Sequence, residues 1–118
     1  MDYVSTRGTA PLQGFEDVLI TGLAPDGGLY VPKHWPDVSK ADLRALAGLP
    51  YAEAARRVIA PFVGDAIDDD TLAAMTRETY AVFDHPDVAP LVEIGEDAWL
   101  LELFHGPTLA LKIGRAHV

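Results

Sequence analysis

Apolar and polar positions alternate and recur along this chain in ways that predict its elements one by one. Residues 3–6 are short, β-branched and aromatic, the pattern of a strand, which Gly8 and Pro11 bring to an end. Phe15, Val18, Leu19 and Gly22 then fall at i, i+3, i+4 and i+7, with Glu16 and Asp17 in the first turn; this spacing predicts one or two helical turns. Asp26-Gly27-Gly28 reads as a turn that needs positive φ, followed by a short strand Leu29-Tyr30-Val31. Pro32 and Pro36 keep that strand from running on.

The middle of the chain changes to helical spacing. Ser39 and Asp42 stand three apart in the manner of a capping box, with Asp in place of the usual Glu. Leu43 and Leu46 give that helix an apolar side before Gly48 stops it. Pro50 opens a second helix through Tyr51, Ala54, Ala55, Val58 and Ile59, which Pro61 is expected to kink or end. A third starts near Asp69-Asp70 and carries Leu72, Met75, Thr76 and Tyr80. Two apolar runs, residues 91–94 and 98–103, flank Gly95-Glu96-Asp97, the signature of a hairpin. The sequence shows no internal repeat. Helices in the middle and strands at both ends predict a mixed α+β or α/β class.

Charge narrows the function classes. Lys+Arg 9 against Asp+Glu 18 leaves a formal net charge of −9. A nucleic-acid binder or a helix docked on anionic lipid needs a basic face, so neither partner is expected. The absence of cysteine excludes a disulfide scaffold, a thiolate nucleophile and a cysteine-ligated metal. No apolar stretch approaches the length of a bilayer span, and the first residues lack the apolar run of a signal peptide. A soluble, cytoplasmic protein is the expectation. With 118 residues, one small domain is the default.

Few side chains point to chemistry. Asp68-Asp69-Asp70 lacks the alternating oxygen ligands and central glycine of a calcium loop, and capping explains acids just before a helix. Gly27-Gly28 precedes a strand, which suits a tight turn and not a phosphate loop. His34, His85, His105 and His117 lack metal-ligand spacing and read as loop or surface residues, so no metal site is expected. The segment from Glu102 to Lys112 differs. Gly106-Pro107 makes a turn after the last strand, Thr108 suits an N-cap, and Lys112 then falls about one turn into a helix. The positive helix end and the neighbouring Leu109 and Leu111 would both lower the pKa of that amine, as a Schiff-base lysine requires. Spacing alone leaves open a solvated surface lysine.

Several motifs in order bear on that choice. Leu101-Glu102-Leu103-Phe104-His105-Gly106-Pro107-Thr108-Leu109-Ala110, followed by Lys112, resembles the pyridoxal-phosphate lysine motif of the threonine synthase family. Tyr3-Val4-Ser5-Thr6-Arg7-Gly8, Gly22-Leu23-Ala24 and Asp26-Gly27-Gly28-Leu29-Tyr30-Val31-Pro32 resemble that family's opening signature. Pro61-Phe62-Val63-Gly64 and Pro90-Leu91-Val92 fall in the family's order, so the resemblance runs from Tyr3 to Lys112.

The resemblance implies the N-terminal part of a fold-type II pyridoxal 5'-phosphate enzyme. Such an enzyme converts O-phospho-L-homoserine and water to L-threonine and phosphate, the last step of threonine biosynthesis. Lys112 would then bind the cofactor and serve as acid and base. Phe104, His105, Gly106, Pro107 and Thr108 would shape the turn that presents it. Ser5, Thr6, Arg7 and the stretch from Asp26 to Tyr30 would lie near the active-site mouth. Residues 1–84 would be the family's N-terminal domain, mainly helical with short strands, and residues 85–112 the hairpin and start of the catalytic domain.

Departures from the family pattern gather at the end. The family reads Phe-Lys-Asp around its lysine, whereas this chain has Leu111-Lys112-Ile113. Ile113-Gly114-Arg115-Ala116-His117-Val118 does not continue an apolar helix, and Gly114 would cost it about 1 kcal/mol relative to Ala. A sequencing-library adapter encodes the same string, so residues 113–118 are expected to be a non-native tail on a truncated, inactive fragment. The alternative is a non-catalytic binding or structural module in which Lys112 is a surface residue.

Overall fold

The structure, a computed structural model, describes residues 1–108. Strand β1 (Asp2–Ser5) is the centre of a three-stranded antiparallel sheet, between β2 (Gln13–Gly14) and β3 (Tyr30–Pro32). Tyr3 lies opposite Gln13 on one side and Pro32 on the other, and Ser5 lies opposite Tyr30. The period of two along β1 buries Tyr3 and Ser5 on one face. The strand starts one residue earlier than its apolar pattern, because Asp2 pairs with Gly14 and its carbonyl accepts from Lys33 N at 2.9 Å. Strand β2 is too short to show alternation, and the sequence reading missed it. Pro32 belongs to β3 because that strand is an edge, where a missing N–H is tolerated.

Helix α1 (Phe15–Thr21) begins beside β2 and stops at Gly22, whose φ is 71°. Phe15 leans on the Tyr3 ring with centroids 6.3 Å apart. The helical spacing is correct, and Phe15 and Val18 of the face it suggested are half-buried, but Leu19 on the same face is 66% exposed. Helix α2 (Lys40–Ala45) starts with the expected capping box. Asp42 N donates to Ser39 Oγ at 3.1 Å, and Ser39 N donates to Asp42 Oδ2 at 2.9 Å.

Helices α3 (Tyr51–Val63) and α4 (Asp69–Tyr80), joined through a 3-10 turn at Gly64–Ala66, pack on each other. Pro61 does not end α3; the helix runs two residues further. In the last turn its missing N–H costs one bond only, and Gly64, at φ 62°, makes the stop. Asp68 caps α4, accepting from Thr71 N at 2.9 Å, so capping is the observed use of the first acid in that run. Val63, 2% exposed, and Leu72, 6% exposed, are the interior of this lobe. The sheet is fastened to it by the Tyr3 hydroxyl, which donates to the Phe62 carbonyl at 2.7 Å, and the Trp35 ring stands edge-on to Phe62.

Charge also stitches α3 to α4. Glu53 accepts from Arg56 and Arg57, and Arg56 reaches across to Asp69. Hydrogen bonds from Arg56, then Arg57, hold the Glu53 pKa down at about 2. A depressed carboxyl contributes stability that is full above its ordinary value near 4.5 and lost as pH falls toward 2. Glu53→Gln is therefore expected to lower the melting temperature modestly at neutral pH and to converge with the unmodified chain near pH 2. Thermal melts across that window check this; parallel curves would sink it.

Strands β4 (Leu91–Gly95) and β5 (Ala98–Leu101) form the expected antiparallel hairpin, with Leu91 opposite Leu101 and Glu93 opposite Trp99. Asp97 turns it with φ 56°, a conformation that Asp tolerates better than most residues. Every hairpin position is exposed. Strand β5 stops two residues before the apolar run does; Glu102 N still donates to the Pro90 carbonyl, at 3.0 Å. Among the described residues no helix is long and apolar enough to cross a membrane.

Candidate functional site

Two clusters gather the residues singled out from the sequence. The first is built where β1 ends against the turn before β3. Thr6 N donates to the Leu29 carbonyl at 2.8 Å, and Leu29 N donates back to Thr6 Oγ1 at 3.0 Å. This reciprocal pair places Ser5, on the buried face of β1, over Asp26. Ser5 Oγ donates to the Asp26 carboxylate, lying 2.7 and 2.8 Å from its two oxygens. Gly28 N donates to Oδ1 at 2.9 Å, while Thr9 N, Thr9 Oγ1 and Ala10 N all donate to Oδ2 within 3.1 Å.

Asp26 is thus the hub of a knot that ties the loop after β1 to the turn. The Ser5 hydroxyl first, with Gly28 and Thr9 behind it and burial opposing, holds the Asp26 carboxyl well below the usual carboxylate range. Arg7 does not pair with that carboxylate. Its Nη1 donates to the Asp26 backbone carbonyl at 3.0 Å, which leaves the guanidinium lying over Gly27. Gly27 supplies the positive φ, 79°, expected of this turn. Gly28 is required for space: a Cβ there would stand 2.4 Å from Ser5 Oγ and 3.0 Å from Asp26 Oδ1 and Thr6 Oγ1.

The second cluster surrounds the turn at residues 106–108. Glu102 Oε2 lies 2.7 Å from His105 Nε2, and both side chains are mostly covered. The His105 ring packs at a tilt against Phe104 and against His85, with centroids 4.6 and 5.0 Å away. Its carbonyl accepts from Asp84 N at 3.0 Å. His85 and His105 lie in loops, as the sequence predicts, and the structure adds that their rings meet, because residues 84–90 fold back beside the end of β5. His34 is exposed as expected. His117 lies outside the described residues.

Gly106 is buried against Phe83; a Cβ there would meet Phe83 Cε1 and Cζ at 3.0 Å. Gly106-Pro107 turns the chain as the sequence predicts. The helix that Thr108 was expected to cap, and Lys112 itself, lie outside the described residues. Ser5, Thr6, Arg7 and Asp26 are brought together, and Phe104 and His105 belong with the separate turn leading to Thr108. Sequence reasoning missed Thr9, Ala10 and Phe83, and the pairing of Glu102 with His105. The three-residue spacing of Glu102 and His105 could have signalled their pairing, whereas nothing local marks Phe83.

The chain is similar to known proteins in sequence and in fold. The sequence profile described as threonine synthase N terminus matches residues 2–80. Threonine synthase from Pseudomonas aeruginosa is 53% identical over 112 residues, covering 95% of this chain and 24% of that protein. Threonine synthase from Corynebacterium glutamicum is 41% identical, again over 95% of this chain and 24% of the relative. The crystal structure of pyridoxal-phosphate-bound threonine synthase from Brucella melitensis superposes with a TM-score of 0.89 at 50% identity, over 93% of this chain and 24% of that one. The Escherichia coli enzyme gives 0.80 at 27% identity, over 92% and 24%. This chain spans about a quarter of the length of the relatives it matches. With a mixed helix-and-strand fold and an N-terminal profile matching most of its length, the chain belongs to the threonine synthase family.

Proposed function

We propose that this chain supplies the N-terminal domain and lysine motif of a pyridoxal-phosphate enzyme that converts O-phospho-L-homoserine and water to L-threonine and phosphate. The observation carrying this reading is the likeness, at 50% identity over 93% of the chain, to a threonine synthase whose structure holds pyridoxal phosphate. Residues 1–84 are its N-terminal domain, residues 85–112 open the catalytic domain, and residues 113–118 are a non-native tail. The cytoplasm is the compartment of this reading, and its partner is a small molecule, with neither nucleic acid nor membrane.

The residues fit the cofactor at one point. Lys112 offers a primary amine, the group that captures an aldehyde, and the turn four residues before it is packed too tightly at Gly106 for a side chain. When bound, pyridoxal phosphate supplies the electron sink. Lys112 would hold it and carry protons, while Phe104, His105 and residues 106–108 orient the lysine's approach. Ser5, Thr6, Arg7 and Asp26 shape the wall of the mouth. The Ser5 and Thr9 hydroxyls do not offer a phosphate seat, being committed to Asp26, whose charge repels a phosphate. A lysine without a phosphate seat gives capture without the affinity that holds the cofactor through a reaction, so these 118 residues alone are expected to lack turnover.

The test has two arms. Phosphate release from O-phospho-L-homoserine is measured with added pyridoxal phosphate, and no rate above background is expected. A rate comparable to the longer Pseudomonas relative would overturn the inactivity. In the second arm, borohydride reduction and mass mapping compare Lys112 with Lys33 and Lys40, the other two lysines. Labelling concentrated at Lys112 is expected. An even spread would replace the enzyme reading with a non-catalytic module in which Lys112 is a surface charge.

A further inference from the structure

The ring beneath Gly106 belongs to a continuous aromatic path. Tyr51, at the start of α3, meets Tyr80, at the end of α4, edge-on with centroids 4.8 Å apart. Tyr80 in turn packs on Phe83 at 5.4 Å. Phe83 then touches Gly106 so closely that a Cβ there would reach its ring at 3.0 Å. Three rings therefore run from the helical lobe to the turn that precedes Lys112.

The segment carrying Phe83 onward is fastened to the same turn. Asp84 N donates to the His105 carbonyl at 3.0 Å, and Pro90 accepts from Glu102 N at 3.0 Å, so residues 84–90 are gripped at both ends. Within them Val88 is 6% exposed and holds φ 62°. A β-branched residue in that region is strained and persists only where its surroundings over-determine it. Val88, Phe83, Leu103 and Gly106 share the wall of a cavity of about 200 Å³. The loop is held against its own backbone preference in the position that keeps Phe83 under Gly106.

We infer that Phe83 is a positioning residue for the lysine motif, its ring the seat that lets the two helices of the N-terminal lobe set where the turn at Gly106 stands. The inference rests on the reading of Lys112 as the cofactor lysine and adds to it the side chain that aims the motif. Phe83 touches Gly106 and acts on the lysine only through the turn.

The experiment uses the 118-residue chain with pyridoxal phosphate and borohydride. The lysine amine condenses with the aldehyde, releasing water, and hydride reduces the C=N bond to a stable secondary amine. The readout is the ratio of label at Lys112 to that at Lys33 and Lys40, with circular dichroism and a urea midpoint to establish folding. Gly106→Ala pushes a methyl against the ring and is expected to cut the Lys112 preference by about tenfold, in keeping with the cost of misplacement by a fraction of an ångström to one ångström. Phe83→Leu removes the seat and is expected to cut it likewise. In the double variant the smaller leucine leaves room for the methyl, and much of the preference returns.

A merely structural role would move the urea midpoint and leave the labelling ratio of the folded protein unchanged. An unchanged ratio in folded Gly106→Ala or Phe83→Leu overturns the inference, as does a double variant no better than Gly106→Ala. Should Gly106→Ala fail to fold, Phe83→Leu alone decides. Each of these outcomes leaves the lysine reading intact. A wild-type chain with no preference for Lys112 overturns both together.

Discussion

Leu72→Ala is expected to destabilise the chain by about 3 kcal/mol, the middle of the range for truncating a buried leucine. Leu72 is 6% exposed on the face of α4 that meets α3 and the turn at Gly64–Ala66, where few other side chains are fully covered. A small core has little redundancy. Whole-domain stabilities are about 5–15 kcal/mol, so one such truncation removes a large fraction of the total. The melting temperature should fall by more than about 10 °C in a domain of this size. Leu43, 58% exposed on α2, is the control: its replacement by Ala should stay within about 0.5 kcal/mol. Urea unfolding of both variants checks the pair, and equal midpoints would show that the α3–α4 junction is not the core.

Gly28→Ala should cost nearly as much, about 2–3 kcal/mol, for a different reason. The added methyl would stand 2.4 Å from Ser5 Oγ, and the atoms it strikes have no freedom to leave. Ser5 is buried and bonded to both Asp26 oxygens, and Thr6 Oγ1 is held by Leu29 N. Moving any of them opens the knot around Asp26 and leaves Thr9 N, Ala10 N and Gly28 N without their common acceptor. Gly27→Ala next door is the instructive comparison. Its obstacle is the end of a long arginine side chain, which can swing away, so only the left-handed backbone penalty of about 1 kcal/mol remains. The expected order is Gly28 well above Gly27, read from chemical denaturation. The reverse order would mean that the turn is governed by φ and not by space.

Asp26 adds a pH signature to that knot. Its carboxyl titrates well below the ordinary value, so its contribution is complete above about pH 4 and fades only in strong acid. Glu53, on α3, behaves with the same sign. Acid denaturation of this chain is therefore expected to include two long-range fasteners, one in the turn before β3 and one between α3 and α4, beside the local helix caps at Asp42 and Asp68. Combining Glu53→Gln with Asp26→Asn removes these two contributions and leaves the helix caps Asp42 and Asp68, whose carboxyls are lowered by Ser39 and Thr71, to titrate in acid.

Local patterns carried much of the reading. The capping box at Ser39 and Asp42, the cap at Asp68, the turn at Gly27 and the hairpin around Asp97 are all contests among neighbours in sequence, settled within a few residues. The lysine motif was legible for the same reason, since Glu102 to Lys112 is contiguous. Errors fell where the deciding partner was distant. Strand β2 exists because β1 pairs with it, and α1 keeps helical spacing while Leu19 on its apolar face stays exposed. Pro61 is the local exception: it stays helical because its position in the last turn limits the loss to one bond.

By itself, the sequence determined the mixed class, the order and type of the longer elements, the exclusion of cysteine chemistry and the family resemblance on contiguous motifs. All of these depend on residue identity and short spacing, which are properties of the chain before it folds. Only the tertiary structure decided that Asp26 serves Ser5, Thr9, Ala10 and Gly28 at once, that His105 meets Glu102 and His85, and that Phe83 is the surface against which Gly106 must be glycine. Those are questions of which groups share a volume too small for another atom, and close packing between distant segments sets that volume.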